Sequence, residues 1–167
     1  MARENPTPIS LEVRSSCEIL QASAFNHAWS DIMECMANSD NVIRAGLTPK
    51  AKDIPNLLAG LTYKAAPWSN HMVQPSTIPE SATVTYDPPV QDFTVLALNL
   101  VEGGSEIQRA INGPSIIIGT EGAGFVIWDN DSRSLDLKSG SVVFVGANVP
   151  VSFKALEKLT VFRAYVE

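Results

Sequence analysis

The chain has 167 residues, with 18 acidic and 12 basic side chains, a formal net charge of -6 and a pI of about 4.9. This length fits one domain, or one domain with an appendage. An apolar fraction of 45% excludes a wholly disordered chain. The acidic balance argues against nucleic acid as a partner, because proteins that bind a phosphate backbone usually carry a basic face.

The two cysteines, Cys17 and Cys35, form a poor disulfide framework and favour free thiols in a reducing compartment. The first residues, Met1–Pro6, lack the apolar core of a signal peptide. No run approaches the ~18 apolar residues that would cross a bilayer. We therefore expect a soluble, cytoplasmic protein with no membrane partner.

The first part of the chain is the least regular. Residues 1–24 show no sustained period, so we leave them as an unassigned N-terminal segment. Residues 25–63 carry unusual clusters of polar residues. A helix is expected only over Pro55–Leu61, where Asp53 can cap the first turn and Gly60 can weaken the last.

Residues 64–90 are rich in proline, which fixes φ and removes a backbone donor. The prolines in question are Pro67, Pro75, Pro79, Pro88 and Pro89. We expect an irregular, extended connection that forms a linker or a strap over a surface.

From residue 83 to 167 the pattern changes to short strands separated by turn residues. Expected strands are Thr83–Tyr86, Phe93–Val101, Ser105–Ala110, Ser115–Gly119, Gly124–Trp128, Ser134–Leu137, Ser141–Val145, Val149–Lys154 and Leu159–Val166. The turns contain Gly103-Gly104, Asn112-Gly113, Glu121-Gly122, Asp129-Asn130-Asp131 and Ser139-Gly140, which suit φ > 0 or bond to their own backbone. Eight or nine such strands predict a mainly β fold, most plausibly a jelly-roll barrel or sandwich with a short, partly helical N-terminal segment.

Within this C-terminal β-domain, Gly140–Phe153 resembles the second motif of the cupins. Cupins hold a metal through histidines on facing strands, and here Val151 stands at the histidine position. Residues 83–167 contain no histidine, which is the usual ligand for zinc, copper, iron and nickel in such barrels. The sequence therefore predicts a cupin-like, metal-free β-domain with a structural or lid-supporting role.

Three cations, Arg44, Lys50 and Lys52, fall within nine residues of an otherwise acidic chain. Gly46 and Pro49 between them suggest a bent loop that could turn Arg44 and Lys50 toward one point. Arginine binds phosphate or carboxylate with a planar fork, and lysine adds a mobile charge. The cluster is either a site for an anionic small molecule or ordinary solvated surface charge.

Glu34 lies between Met33 and Cys35 in an apolar stretch. A carboxylate in such a place is either paired or functional, because desolvation disfavours its charged form. His27 is either a metal ligand or a core or surface histidine, and the residues alone leave both open.

Several motifs in one order resemble the signature of the type I mannose-6-phosphate isomerases. They are Met33–Ala37, Ser39–Asn41, Arg44–Lys50, Asp53–Pro55, Tyr86–Pro89, Asp92–Phe93, Gly140–Asn148 and Phe162–Ala164. The resemblance covers about residues 25–167 and corresponds to the C-terminal part of a much longer enzyme. It places residues 25–63 in the isomerase active-site region.

The resemblance implies interconversion of mannose 6-phosphate and fructose 6-phosphate through a cis-enediol, feeding GDP-mannose synthesis. One zinc ion would polarise substrate oxygens, a base would move the proton, and a cation would stabilise the enediolate. By resemblance, Arg44 matches the catalytic arginine, and Lys50 and Glu34 match residues that line the substrate pocket. His27, in His-Ala-Trp, matches a histidine that supplies one zinc ligand.

The remaining zinc ligands of the family, a glutamine, a histidine and a glutamate, come from an upstream barrel without a counterpart here. Catalytic zinc needs at least three protein ligands. We therefore expect a truncated form of the enzyme (a fragment, splice form or truncated gene model) that does not hold zinc alone. The alternative is a non-catalytic cupin-like module that binds a sugar phosphate, or a structural remnant without metal. Oligomeric state is left open.

Overall fold

A computed structural model describes residues 11–14, 33–36, 43–44, 49–61, 63 and 65–167. The chain divides into two compact units, Met1–Met72 and Val73–Glu167. In the described residues, no helix is both long and apolar enough to cross a membrane.

The first unit contains a short parallel strand pair and a short helix. Strands β1 (Leu11–Arg14) and β2 (Met33–Met36) pair in register from Leu11 opposite Met33 to Arg14 opposite Met36. The sequence did not predict these strands, because four residues of alternation are too few to separate from noise. In β2 the alternation is present, with Met33 and Cys35 half-buried and their neighbours exposed.

Helix α1 (Ile54–Ala59) confirms the predicted helix, shifted slightly toward the N-terminus. The carboxylate of Asp53 accepts hydrogen bonds from the backbone N–H of Asn56 at 3.2 Å and from Asn56 Nδ2 at 2.6 Å. The cap satisfies one of the donors that every helix start leaves without an intrahelical partner. Gly60 follows as the C-terminal cap.

The second unit is built from two antiparallel sheets. The six-stranded sheet has the order β10-β7-β12-β5-β4-β3 and the four-stranded sheet the order β6-β11-β8-β9. Their strands are β3 (Ser76–Thr77), β4 (Thr83–Tyr86), β5 (Thr94–Leu100), β6 (Ser105–Gln108), β7 (Ser115–Glu121), β8 (Ala123–Trp128), β9 (Arg133–Lys138), β10 (Val142–Val145), β11 (Val151–Ala155) and β12 (Leu159–Tyr165). The prediction of a mainly β, cupin-like jelly roll is confirmed.

The hydrophobic core lies between these two sheets. The six-stranded sheet contributes Leu98, Leu100, Ile117, Val145, Leu159 and Val161, and the four-stranded sheet contributes Val126, Leu137, Val151, Phe153 and Ala155. The reason is the two-residue period of a strand, which sends alternate side chains to the same face. In β10, for example, Val143 and Val145 face the core while Val142 and Phe144 remain exposed.

All nine strands predicted between residues 83 and 167 are present, with ends displaced by up to two residues. Predicted turns also adopt the left-handed backbone that their residues suit, as at Gly122, Gly140 and Asp129–Asp131. The proline-rich stretch is not uniformly irregular. It contains a 3₁₀ helix at Trp68–His71 and strand β3, which pairs with β4.

One carboxylate links the two sheets of the second unit. Glu106 on β6 accepts hydrogen bonds from Ser81 Oγ at 2.7 Å and the Ala82 backbone N–H at 2.6 Å, and also from the hydroxyl of Thr83, so it joins the two sheets.

A β-bulge interrupts the β7–β12 ladder, where Thr160 pairs with Glu121 but the next residue, Val161, pairs with Gly119.

Gly122 and Gly140 offer a matched test of close packing. Both have positive φ, +77° and +84°, but a Cβ on Gly122 would lie 1.6 Å from the carbonyl oxygen of Lys158, whereas one on Gly140 would meet nothing within 4 Å. We expect Gly140→Ala to lower the free energy of unfolding by about 1–2 kcal/mol through backbone conformation alone. Gly122→Ala should cost about 1–3 kcal/mol more, because the backbone must move to relieve the overlap. Urea unfolding of both variants measures the difference, and equal losses would contradict the close approach.

Candidate functional site

The residues predicted to form the site lie in separate segments of the first unit. His27 lies outside the described residues. Glu34 is exposed on β2, away from the half-buried face that Met33 and Cys35 form, so burial does not desolvate its carboxylate as its apolar neighbours suggested. The interpretation that this carboxylate is paired or functional stays a prediction. Its place in a substrate pocket stays a prediction.

The two cations differ in their surroundings. Arg44 is half-buried in a coil, whereas Lys50 is exposed in a bend that precedes α1. A half-buried guanidinium has a stronger electrostatic effect than an exposed one, because water screens it less. The carboxylate nearest to Lys50 in sequence, that of Asp53, caps α1. The convergence of Arg44 and Lys50 on one point stays a prediction.

Cys35 lies next to Glu34 on β2 and is a free thiol. Burial raises the pKa of this thiol above its ordinary value. The thiolate is the nucleophilic form of cysteine, and a raised pKa lowers its population at neutral pH. Cys35 is therefore poorly suited to covalent catalysis.

A cleft of about 500 Å³ opens at one end of the second unit, where β5 begins and β12 ends. Its walls include Pro88 and Pro89, the inward-facing Thr94 and Tyr165, and Asp87, whose carboxylate accepts a hydrogen bond from Thr94 Oγ1 at 3.1 Å. The volume lies in the range of small-molecule sites, roughly 300–1,000 Å³. The Pro-Pro pair was the available sequence signal: it belongs to the Tyr86–Pro89 motif of the family resemblance, and it was also interpreted as part of a connection.

An ion pair lies beside this cleft. Arg109 Nη1 and Nη2 donate to the two carboxylate oxygens of Glu167 at 2.6 and 3.1 Å. These hydrogen bonds hold the pKa of the Glu167 carboxyl below its usual value and raise the pKa of Arg109. Both side chains are well exposed, so water and salt screen the pair.

A polar cluster closes one end of the core, and sequence reasoning missed it. Arg163 on β12 is only 1% exposed. Its Nε donates to Ser115 Oγ at 3.0 Å and its Nη1 to Gln108 Oε1 at 3.2 Å. Gln108 Nε2 in turn donates to Thr83 Oγ1 at 3.3 Å. The signal was present, since Arg163 is in phase with the inward-facing Leu159 and Val161.

The described residues do not fit a zinc site. Among them, no group of three or more His, Cys, Asp or Glu side chains is arranged to hold a metal ion. The second unit has neither histidine nor cysteine in its sequence. Val151, at the position of the cupin histidine, is 2% exposed within the apolar core. Zinc needs nitrogen, sulfur or carboxylate donors, which this interior does not offer.

Comparison with known proteins gives one family. Residues 83–131 match the family model "Phosphomannose isomerase type I C-terminal". The chain is 46% identical over 145 residues to the mannose-6-phosphate isomerase of Cryptococcus neoformans, and 41% identical over 149 residues to that of Saccharomyces cerevisiae. Each alignment covers 84% of this chain but 33% or 34% of the relative. The chain thus spans about a third of the length of the curated relatives it matches.

A solved structure gives the same result at the level of the fold. The mannose 6-phosphate isomerase of Salmonella typhimurium, bound to fructose 6-phosphate and zinc, matches with a TM-score of 0.64 and 30% identity. The match covers 79% of this chain and 32% of the Salmonella chain. The likeness therefore includes most of the fold described above.

The Arg109–Glu167 pair predicts a pH dependence. The pKa of Glu167 is lower in the folded state than the ordinary value of a glutamate, about 4.3. Its contribution to stability is therefore present above that value and is lost as pH falls through the lowered folded pKa. We expect Glu167→Gln to reduce the melting temperature slightly at pH 7, and the difference from the parent chain to disappear in acid. Thermal melts between pH 7 and pH 2 measure this. In an Arg109→Gln background the same substitution should have no further effect; an unchanged effect there would contradict the pairing.

Proposed function

Because the chain belongs to the type I phosphomannose isomerases and corresponds to their C-terminal portion, we propose that it forms part of a mannose-6-phosphate isomerase. That enzyme interconverts mannose 6-phosphate and fructose 6-phosphate. The observation that carries the proposal is the 46% identity over 145 residues to the Cryptococcus isomerase. The match to the Salmonella enzyme supports a small sugar phosphate as the partner. The two cysteines favour the cytoplasm.

The reaction moves a proton between C1 and C2 of the sugar through a cis-enediol, and negative charge develops on oxygen as the proton leaves. A cation placed at that oxygen stabilises the transition state. We assign this role to Arg44, whose guanidinium is half-buried, where water screens a charge less than at an exposed position. We assign the phosphate to Lys50 and sugar contacts to Glu34, both on accessible parts of the first unit.

The zinc of this reaction must be held mostly by residues other than those that the structure describes, since these do not fit a metal site. We propose His27 as one ligand by its place in the family motif. The other ligands would come from the part of the relatives, about two thirds of their length, that has no counterpart here.

A second candidate is a non-catalytic module that binds a sugar phosphate through Arg44 and Lys50. It is favoured by one observation, the apolar interior of the β-sandwich at the position of the cupin metal ligand. Under the first candidate the chain turns over substrate once it is joined to the rest of the isomerase; under the second it binds a sugar phosphate without turnover.

Metal content and turnover of the purified chain distinguish these functions from a self-sufficient enzyme. We expect less than one zinc per chain and negligible isomerisation of mannose 6-phosphate, because three protein ligands are needed for catalytic zinc. Metal analysis and a coupled assay for fructose 6-phosphate measure both quantities. One zinc per chain together with turnover would overturn the view that ligands are missing.

A chimera tests the role of Arg44. In it, this chain replaces the matching third of the Cryptococcus isomerase, with which it shares 46% identity. If the chain is the C-terminal portion of such an enzyme, the chimera should isomerise mannose 6-phosphate. In the chimera, Arg44→Ala should lower kcat by about 10²–10³-fold, the loss typical of removing one oxyanion-stabilising donor. Its melting temperature should change little.

Lys52→Ala is the matched control, since Lys52 is an exposed cation of the same segment without an assigned role. It should leave kcat and KM unchanged. An inactive chimera would favour the non-catalytic module. An active chimera in which Arg44→Ala and Lys52→Ala behave alike would remove Arg44 from the mechanism.

A further inference from the structure

The buried guanidinium of Arg163 lacks a negative partner. Within the described part of the chain it donates hydrogen bonds only to the neutral oxygens of Ser115 and Gln108, and its third nitrogen, Nη2, has no hydrogen-bond partner. The nearest carboxylate in the network is that of Glu106, reached only through Gln108 and Thr83. A buried charge is costly unless a charge of opposite sign or a full set of hydrogen bonds compensates it.

The carboxylate of Glu106 is already occupied. It accepts from two hydroxyl groups, those of Ser81 and Thr83, and from the backbone N–H of Ala82. These bonds hold it at the start of β4, with two side chains between it and Arg163. Glu106 therefore links the sheets and does not neutralise the guanidinium by direct contact.

Several N–H and O–H groups at and around Nη2 take no part in the hydrogen bonds described above. Nη2 carries two N–H groups without acceptors. Ser115 Oγ accepts from Nε, so its own hydrogen can turn toward a further acceptor. Gln108 donates one N–H to Thr83 and retains a second. What the cluster lacks is an acceptor.

The guanidinium of Arg163 stays charged in spite of its burial. Burial lowers the pKa of Arg163 to about 10, which still leaves the guanidinium charged at neutral pH. Tyr165 acts to raise this pKa, and the positive charge of Arg109 acts to lower it by a smaller amount. A negative ion at Nη2 would thus enter a region of positive potential.

We propose that the polar end of the sandwich interior, formed by Arg163, Ser115 and Gln108, binds a small monovalent inorganic anion on Nη2 of Arg163. Chloride is the expected occupant, because a monatomic ion needs the least room in a packed core and accepts hydrogen bonds from several directions. The site uses none of the residues assigned to the sugar phosphate, and it can be present or absent whichever function the chain has.

Thermal melts of the full chain test the proposal. Sodium chloride is titrated against sodium gluconate at constant ionic strength, since gluconate is too large to enter. We expect a saturable rise in melting temperature of roughly 2–8 °C, because a ligand that binds only the folded state stabilises it. Arg163→Met, which keeps length but removes charge, should abolish the rise. Arg133→Met, which removes an exposed arginine on β9, should retain it.

A milder variant keeps the test usable where Arg163→Met leaves too little folded protein to melt. Ser115→Ala keeps the guanidinium and removes one donor. The chloride concentration at half-effect should then increase about tenfold, the effect of losing one hydrogen bond to a charged group. A chloride effect that does not saturate, or that is the same in the parent chain, Ser115→Ala and Arg163→Met, would overturn the proposal.

Crystals of the parent chain grown in sodium bromide give a direct measurement. The proposal expects an anomalous peak within about 3.5 Å of Nη2, at hydrogen-bonding distance for a halide. A water molecule at that place, or peaks confined to the protein surface, would show that solvent rather than an anion compensates Arg163.

Discussion

The two-residue period of the β-strand is the constraint on which the second unit depends. It sends every second side chain of ten strands toward one face of a sheet, and the space between the sheets must then be filled without gaps. Phe153, Ile117 and Leu159 fill it and are fully buried. The same constraint decides what the interior can do chemically. The side chain of Val151 packs in the apolar core at the position of the cupin histidine and offers no donor to a metal ion.

The candidate chemistry therefore lies in the first unit, on segments with little regular structure. Arg44 and Lys50 belong to a coil and a bend, and Glu34 to a four-residue strand. Loops carry function more often than cores do, provided a scaffold positions them. In the relatives, which are about three times as long, the residues corresponding to this chain are part of a larger polypeptide. The candidate site residues and the β-sandwich thus lie in different units of the chain.

Most of the β-sandwich could be predicted from the sequence, because its signals are local. Val143 and Val145 alternate with Phe144, and Gly140 marks a turn whose φ is positive in the structure. Asp53, a residue type that often caps helices, likewise indicated the start of α1. Other features depend on contacts between distant residues. The exposure of Glu34 follows from a parallel pairing with β1, 22 positions earlier in register, and the partners of Arg163 lie on β6 and β7. No local pattern contains that information.

The bulge between β7 and β12 has a consequence for how chain length can vary. At the bulge, Thr120 is an extra residue in β7. Because of it, Glu121 lies opposite Thr160 on the outer side of the sheet, whereas in a regular strand Glu121 would face inward like Gly119. There its carboxylate meets Lys158 and the Thr160 hydroxyl. Elsewhere in the strand, losing one residue would turn the remaining side chains over. A deletion of Thr120 would instead restore the regular register of the ladder without reversing the side chains that follow, at the loss of the hydrogen bonds that Thr120 makes with Ser139 and Thr160.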